Sequence, residues 1–212
     1  MSTPSLFSQR YLKVMAESGD VEGLLEALGE KRVQGSRHMR RVVINELGAL
    51  GDPLAVGPVS EALANDTDPS TRGLAAKALG RIGDPAALPA LRQALECDPD
   101  AASRMWAIQS LGRLKDREGV DLLLKSLRDQ STGVCVFSAR ALGEIGDQRA
   151  FEGLVETLRD RKSGVKLAAA EGLVGLADSR ALEPLKEAHG RASFLTRLRL
   201  GRPLEELEAR YG

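Results

Sequence analysis

The residues of this chain best suited to chemistry are few and far apart. His38 and His189 are its two histidines, and Cys97 and Cys135 its two cysteines. A metal centre needs three or four imidazoles, thiolates or carboxylates in one place, and a hydrolytic triad needs a base beside its nucleophile. About 150 residues separate the histidines, so no His pair serves either task, and the sequence assigns no catalytic residue, no metal and no cofactor. Nor do the 22 glycines follow a strand as a phosphate-cradling loop would. Cys97 and Cys135 fall at different positions of different repeats, which places their Cα atoms beyond the roughly 7 Å that a disulfide spans. Two reduced thiols suit a cytoplasmic protein.

What could bind is a surface rather than a centre. Thirty Lys and Arg balance thirty Asp and Glu, which gives no field to draw nucleic acid or an anionic membrane. A basic run from Lys31 to Arg41 is the main argument for nucleic acid, but acidic residues interleave the basic ones elsewhere, and that partner is disfavoured. The opening "MSTPSLFSQRYLKV" has no apolar core of a leader, and the least polar later stretch, Leu167 to Ala177, is short and carries Glu171. A soluble chain without a membrane segment is expected. Two groups of residues are candidates for holding a protein partner. Met105 and Trp106 recur one repeat later as Val136 and Phe137, an apolar stripe that reads first as filling the gap between stacked hairpins and otherwise, from its interface-type residues, as a partner surface. Asp121, Lys125, Arg128, Glu152, Glu156 and Arg159 form a mixed-charge face on the second helices of two successive repeats.

Elements that position these residues are written into one recurring phrase. "ALGRIGD" at Ala78 to Asp84 returns as "ALGEIGD" at Ala141 to Asp147, with altered copies at Glu46 to Asp52 and Ser110 to Asp116. The closing Asp falls at Asp20, Asp52, Asp84, Asp116, Asp147 and Asp178, at intervals of 32, 32, 32, 31 and 31 residues. Such a period is the mark of a repeat array. Before each Asp, apolar residues at spacings of three and four (Leu47 and Leu50, Leu79 and Ile82, Leu142 and Ile145) make one helical face. After it a second periodic stretch follows: Val56, Val59 and Leu63, then Leu88, Leu91 and Leu95, then Val120, Leu123 and Leu127, then Phe151, Leu154 and Leu158.

Each repeat therefore reads as two helices joined at the phrase. Gly51, Gly83 and Gly146 are placed to end the first helix in the left-handed conformation, and the next Asp to cap the second. Gly48, Gly80, Gly112 and Gly143, inside the first helices, are placed for close helix approach. The expected fold is all-α: a right-handed α-solenoid of about six to seven stacked hairpins, roughly 10 Å per hairpin and about 60 Å long. It is read as one domain over residues 1–212. Its repeats cover approximately 1–33, 34–66, 67–98, 99–129, 130–160 and 161–190, with a C-terminal cap at 191–212. Phe7, Tyr11, Leu12 and Met15 thicken the first repeat's core, and "GRP" at Gly201 to Pro203 reads as another hinge before a short last helix.

As a pattern, V-R-x-x-A-A-x-A-L-G-x-I-G-D-P, these repeats resemble the HEAT-like repeats of the phycobilisome-lyase type, along nearly the whole chain. That resemblance implies the solenoid. It brings an Arg row, matched by Arg40, Arg72, Arg104 and Lys166 and interrupted by Cys135, and a facing acidic row at Asp66, Asp98, Asp129 and Asp160. Both rows are read as structural ladders. The paired His-Glu motifs of the dimetal hydroxylases in this class are absent. The function so implied is a non-catalytic protein-interaction scaffold or adaptor for a protein of unspecified identity, and neither the resemblance nor the residues fix its oligomeric state. The alternative is a bilin lyase or chromophore-handling subunit, since "RMWAI" at Arg104 to Ile108 resembles an Arg-x-Trp-Ala segment of the bilin lyases.

Overall fold

The computed structural model describes residues 9–211, and the chain divides into two compact halves, residues 1–110 and 111–212. Phe7 lies outside the described residues. Among the described residues every regular element is helical.

In the first half α1 (Gln9–Ser18) and α2 (Val21–Gly29) form the opening hairpin, and a one-turn α3 (Lys31–Gln34) precedes α4 (Arg37–Leu50). Next come α5 (Val56–Asn65), α6 (Pro69–Ile82), α7 (Leu88–Cys97) and α8 (Ala101–Arg113), whose last three residues belong to the second half. First helices stack on first helices, α1 on α4 and α4 on α6, while the second helices pack beside them, α5 against both α6 and α7. Leu12, Ile44, Leu47, Val59, Leu79, Leu91 and Ile108, all without exposed surface, make the core. Ser103 and Ser110 on α8 donate their hydroxyls to the carbonyls of Pro69 and Ala76 on α6, at 3.0 and 2.8 Å.

The second half continues with α9 (Val120–Ser126), α10 (Thr132–Ile145), α11 (Phe151–Thr157), α12 (Ser163–Leu176), α13 (Leu182–Gly190) and α14 (Phe194–Tyr211). Here α10 packs on α9 and α12, α12 on α11, and α14 closes over α12 and α13. Leu111, Leu123, Leu142, Leu154, Leu173 and Leu185 are fully buried.

The phrase folds as its residues require. Gly51, Gly83 and Gly146 end α4, α6 and α10 with φ of 73°, 80° and 73°, a region that costs a side chain about 1–2 kcal/mol. Lys115 and Ala177 take the same conformation, φ 56° and 52°, without being glycine. After the left-handed residue, Asp52, Asp84, Asp147 and Asp178 each accept the amide two residues on, at 2.8–3.0 Å. What they cap is a single 3-10 turn, after which the α-helix begins. Gly143 meets α12 so closely that an added Cβ would lie 2.6 Å from the Gly172 Cα.

The C-terminal phrase behaves differently from its reading as a hinge. Gly201 and Pro203 lie inside one helix, α14, which runs unbroken from Phe194 to Tyr211. "GRP" has Arg202 where the hinges have Asp, so no carboxylate is there to cap a new helix. Burial of Leu200, Pro203 and Leu207 on one face holds the helix through a proline that lacks its hydrogen bond.

Candidate functional site

The acidic and basic rows meet as ladders. Arg40 donates from Nε and Nη2 to the two oxygens of Asp66 at 2.6 and 2.9 Å, and Arg72 does the same to Asp98 at 2.7 and 2.8 Å. The carboxylates are nearly buried, with 5% and 4% of their side chains exposed. Each guanidinium gains a second role by donating to a carbonyl six residues back, Arg40 to Gln34 and Arg72 to Asp66. Arg104 donates likewise to the Asp98 carbonyl at 2.9 Å. Burial pushes the Asp98 carboxyl up, but hydrogen bonds from Arg72, the Asp100 amide and Ser103 outweigh it and hold the group below the ordinary carboxylate range. The bond to Asp66 raises Arg40 above its ordinary value.

Cys135 occupies the Arg position of the fifth repeat. Its thiol keeps the short-range half of the job, approaching the Asp129 carbonyl six residues back at 3.2 Å, and burial raises its pKa. It does not reach a carboxylate as an arginine does. Both cysteines are free, Cys97 exposed and Cys135 buried.

The two groups of candidate partner residues lie on different elements. Met105 and Trp106 sit half-buried on α8, in the first half. The indole leans on α6: a Cβ added at Gly73 would be 3.1 Å from its Cδ1, and the Lys77 ammonium stands 4.4 Å from the ring centroid. Trp106 is thus packed between α6 and solvent, partly buried. Val136 and Phe137 are half-buried on α10, in the second half.

By contrast the mixed-charge residues converge. Asp121 and Lys125 on α9, Arg128 just after it, Glu156 on α11 and Arg159 just after that line one groove of about 610 Å³. Glu152, one turn earlier on α11, is exposed but does not line it. Arg128 bridges to Glu156 at 2.9 Å and Asp121 to Arg149 at 3.5 Å, both in the open, where such pairs contribute little. Leu124 and Leu127 supply apolar lining, and Gly153, Thr157 and Asp160 complete it. Gly153 is what lets Leu124 lie across α11, since a Cβ there would meet its Cδ2 at 2.4 Å. Leu124, Gly153 and Thr157 escape a reading based on charge, while Asp160 is legible through the acidic row and the break in the Arg row at Cys135.

Two grooves in the first half are smaller. The one between α2 and α5, with Arg40 and Asp66 in its lining, measures about 430 Å³, and the one between α5 and α7, with Arg72 and Asp98, about 300 Å³. Among the described residues, no three His, Cys, Asp or Glu side chains are gathered to hold a metal ion, and no helix is long and apolar enough to cross a membrane.

Known proteins share this architecture. The model of the HEAT repeats family matches residues 21–111, 57–136 and 136–199. No curated protein matches the chain in sequence. Among solved structures, the complex of CpcE and CpcF of phycocyanin lyase from Nostoc sp. PCC7120 is similar at 22% identity and TM-score 0.60, over 72% of this chain and 99% of that one. The archaeal HEAT-like repeats protein from Thermococcus onnurineus NA1 aligns over 100% of both chains at 13% identity and TM-score 0.53. A designed armadillo repeat protein in complex with the peptide (KR)4 aligns at 16% identity and TM-score 0.50, over 94% of this chain and 87% of that one. At such identities the likeness shows the fold, an all-helical repeat array of the α-solenoid class.

Proposed function

Because the chain belongs to the HEAT repeat family, we propose that it is a non-catalytic protein-binding scaffold or adaptor whose partner lies along the second helices, centred on the groove between α9 and α11. The observation carrying this is the convergence of Asp121, Lys125, Arg128, Glu156 and Arg159 around a single open groove with leucines in its lining. Charge pairs at a rim select a partner and steer its approach, while the apolar lining supplies desolvation. The designed armadillo repeat protein of similar fold, itself in complex with the peptide (KR)4, supports a peptide-binding reading.

A photo-crosslinking residue at Lys125 tests the reading in cells, with Arg140 on α10 as the control position. Discrete protein adducts from position 125 and none from 140 are expected. Adducts from Trp106 or Phe137 instead would move the interface to the first helices. The likeness to the phycocyanin lyase complex supports a second reading, a chromophore-handling subunit, with Trp106 beside the pigment. Absorbance decides it: a chain that retains or transfers a bilin, alone or with a partner subunit, is a lyase component.

A further inference from the structure

The ladder supplies an internal comparison. Asp66 and Asp98 are the C-caps of α5 and α7 and Asp160 stands two residues past the C-cap of α11, yet each turns one carboxylate oxygen to the amide two residues on, at 2.8, 2.9 and 2.6 Å. With the carboxylates held alike, Asp66 and Asp98 each receive a bidentate guanidinium from the preceding first helix. The residue that would deliver it to Asp160 is Cys135, whose thiol is spent on a carbonyl. Among the described residues no cation lies within ion-pair distance of Asp160. Asp160 lines the α9–α11 groove, which is larger than the two grooves lined by a ladder arginine, Arg40 or Arg72.

We infer that this groove takes an arginine side chain from an extended segment of a partner protein, its guanidinium docking on Asp160 where the chain's own ladder guanidinium is missing. The fork geometry matches a carboxylate whose equivalents already bind guanidinium in two other repeats, and a lysine would supply only a point charge. Lys125 and Arg159, which line the same groove and have no ion pair among the described residues, add a second requirement. They favour acidic residues next to the incoming arginine in the partner's sequence. The occupant is therefore a peptide of mixed charge, with an arginine between Asp or Glu residues, and a uniformly basic tail is disfavoured. This rests on the reading of the α9–α11 face as the partner surface.

The test is an amide-resolved NMR titration of the whole chain with the blocked peptide Ser-Glu-Arg-Glu-Ser. The same peptide with citrulline for arginine keeps the shape and removes the charge. Expected are saturating shifts at Gly153, Thr157, Asp160 and Lys162, with the citrulline peptide weaker by about tenfold or more. Asp160→Asn lowers the arginine peptide to the citrulline level, and Cys135→Arg, which refills the ladder from within, does the same. Should Cys135→Arg misfold, Asp160→Asn carries the comparison alone. Equal binding of the two peptides, shifts centred elsewhere, or no shifts overturns the proposal. Crosslinked adducts at Lys125 together with any of these results would leave the partner surface standing and remove only the arginine site.

Discussion

At the scale of residues, the Arg72–Asp98 pair shows what a ladder contributes. Two nearly buried charges lose hydration that their mutual attraction must offset, which succeeds only with full hydrogen bonding. Asp98 has it: two bonds from Arg72 and one from the Asp100 amide. Its carboxyl is held low, so the folded chain binds that proton more weakly than the unfolded one does. The stabilisation is fully present above the unfolded Asp value of about 3.9 and is lost as pH falls through the lower folded value. Asp147 and Asp178, held down by hydrogen bonds from Arg149 and Arg180, act in the same window. Urea midpoints measured from pH 7 downward should hold level and then drop below about pH 4. In Asp98→Asn the neutral-pH stability should be lower by about 3 kcal/mol and the acid drop shallower. An unchanged acid limb in that variant would show that Asp98 is not held low.

At the scale of elements, helix approach is set by single atoms. Gly143→Ala puts a Cβ against the Gly172 backbone, which cannot rotate aside, and a loss of about 1–3 kcal/mol in chemical denaturation is expected from such overpacking. Gly201→Ala is the counterpart, for nothing lies within 4 Å of a Cβ there. Inside a continuous α14 it should add about 0.5–1 kcal/mol, whereas at a left-handed hinge it would subtract. The hairpins, the left-handed Gly51, Gly83 and Gly146, and the ladder were legible because each rests on local chemistry that recurs at a fixed spacing. At Lys115 and Ala177 the residue type hides the left-handed conformation, although both hold the glycine's place in the phrase, directly before Asp116 and Asp178. The unbroken α14 is not legible in the sequence either: "GRP" imitates the hinge by spelling, while the burial of Pro203 depends on the packing of α14. Of the candidate site, the charged residues could be read from the second-helix pattern. Leu124, Gly153 and Thr157 could not, since they belong to the groove only through how α9 and α11 pack.

At the scale of the whole molecule, a repeat array needs its terminal apolar faces covered, because each hairpin buries its core only against a neighbour. Helix α14 covers α12 and α13, with Leu200, Pro203 and Leu207 buried on its inner side. Its outer side is charged along most of its length but apolar in its first turns, where Phe194, Leu195 and Leu198 are 80%, 72% and 72% exposed. The two faces make opposite predictions. Ending the chain at Gly190 strips the cover from Leu173, Leu176 and Leu185, which are now buried, and should lower the thermal midpoint clearly or cause aggregation. Phe194→Ser with Leu198→Ser removes only exposed surface and should leave stability within about 0.5 kcal/mol. Calorimetry and light scattering on the two variants separate the roles. A truncated chain that stays monomeric with an unchanged midpoint would mean that α14 is an appendage, and that α12 and α13 complete the core by themselves.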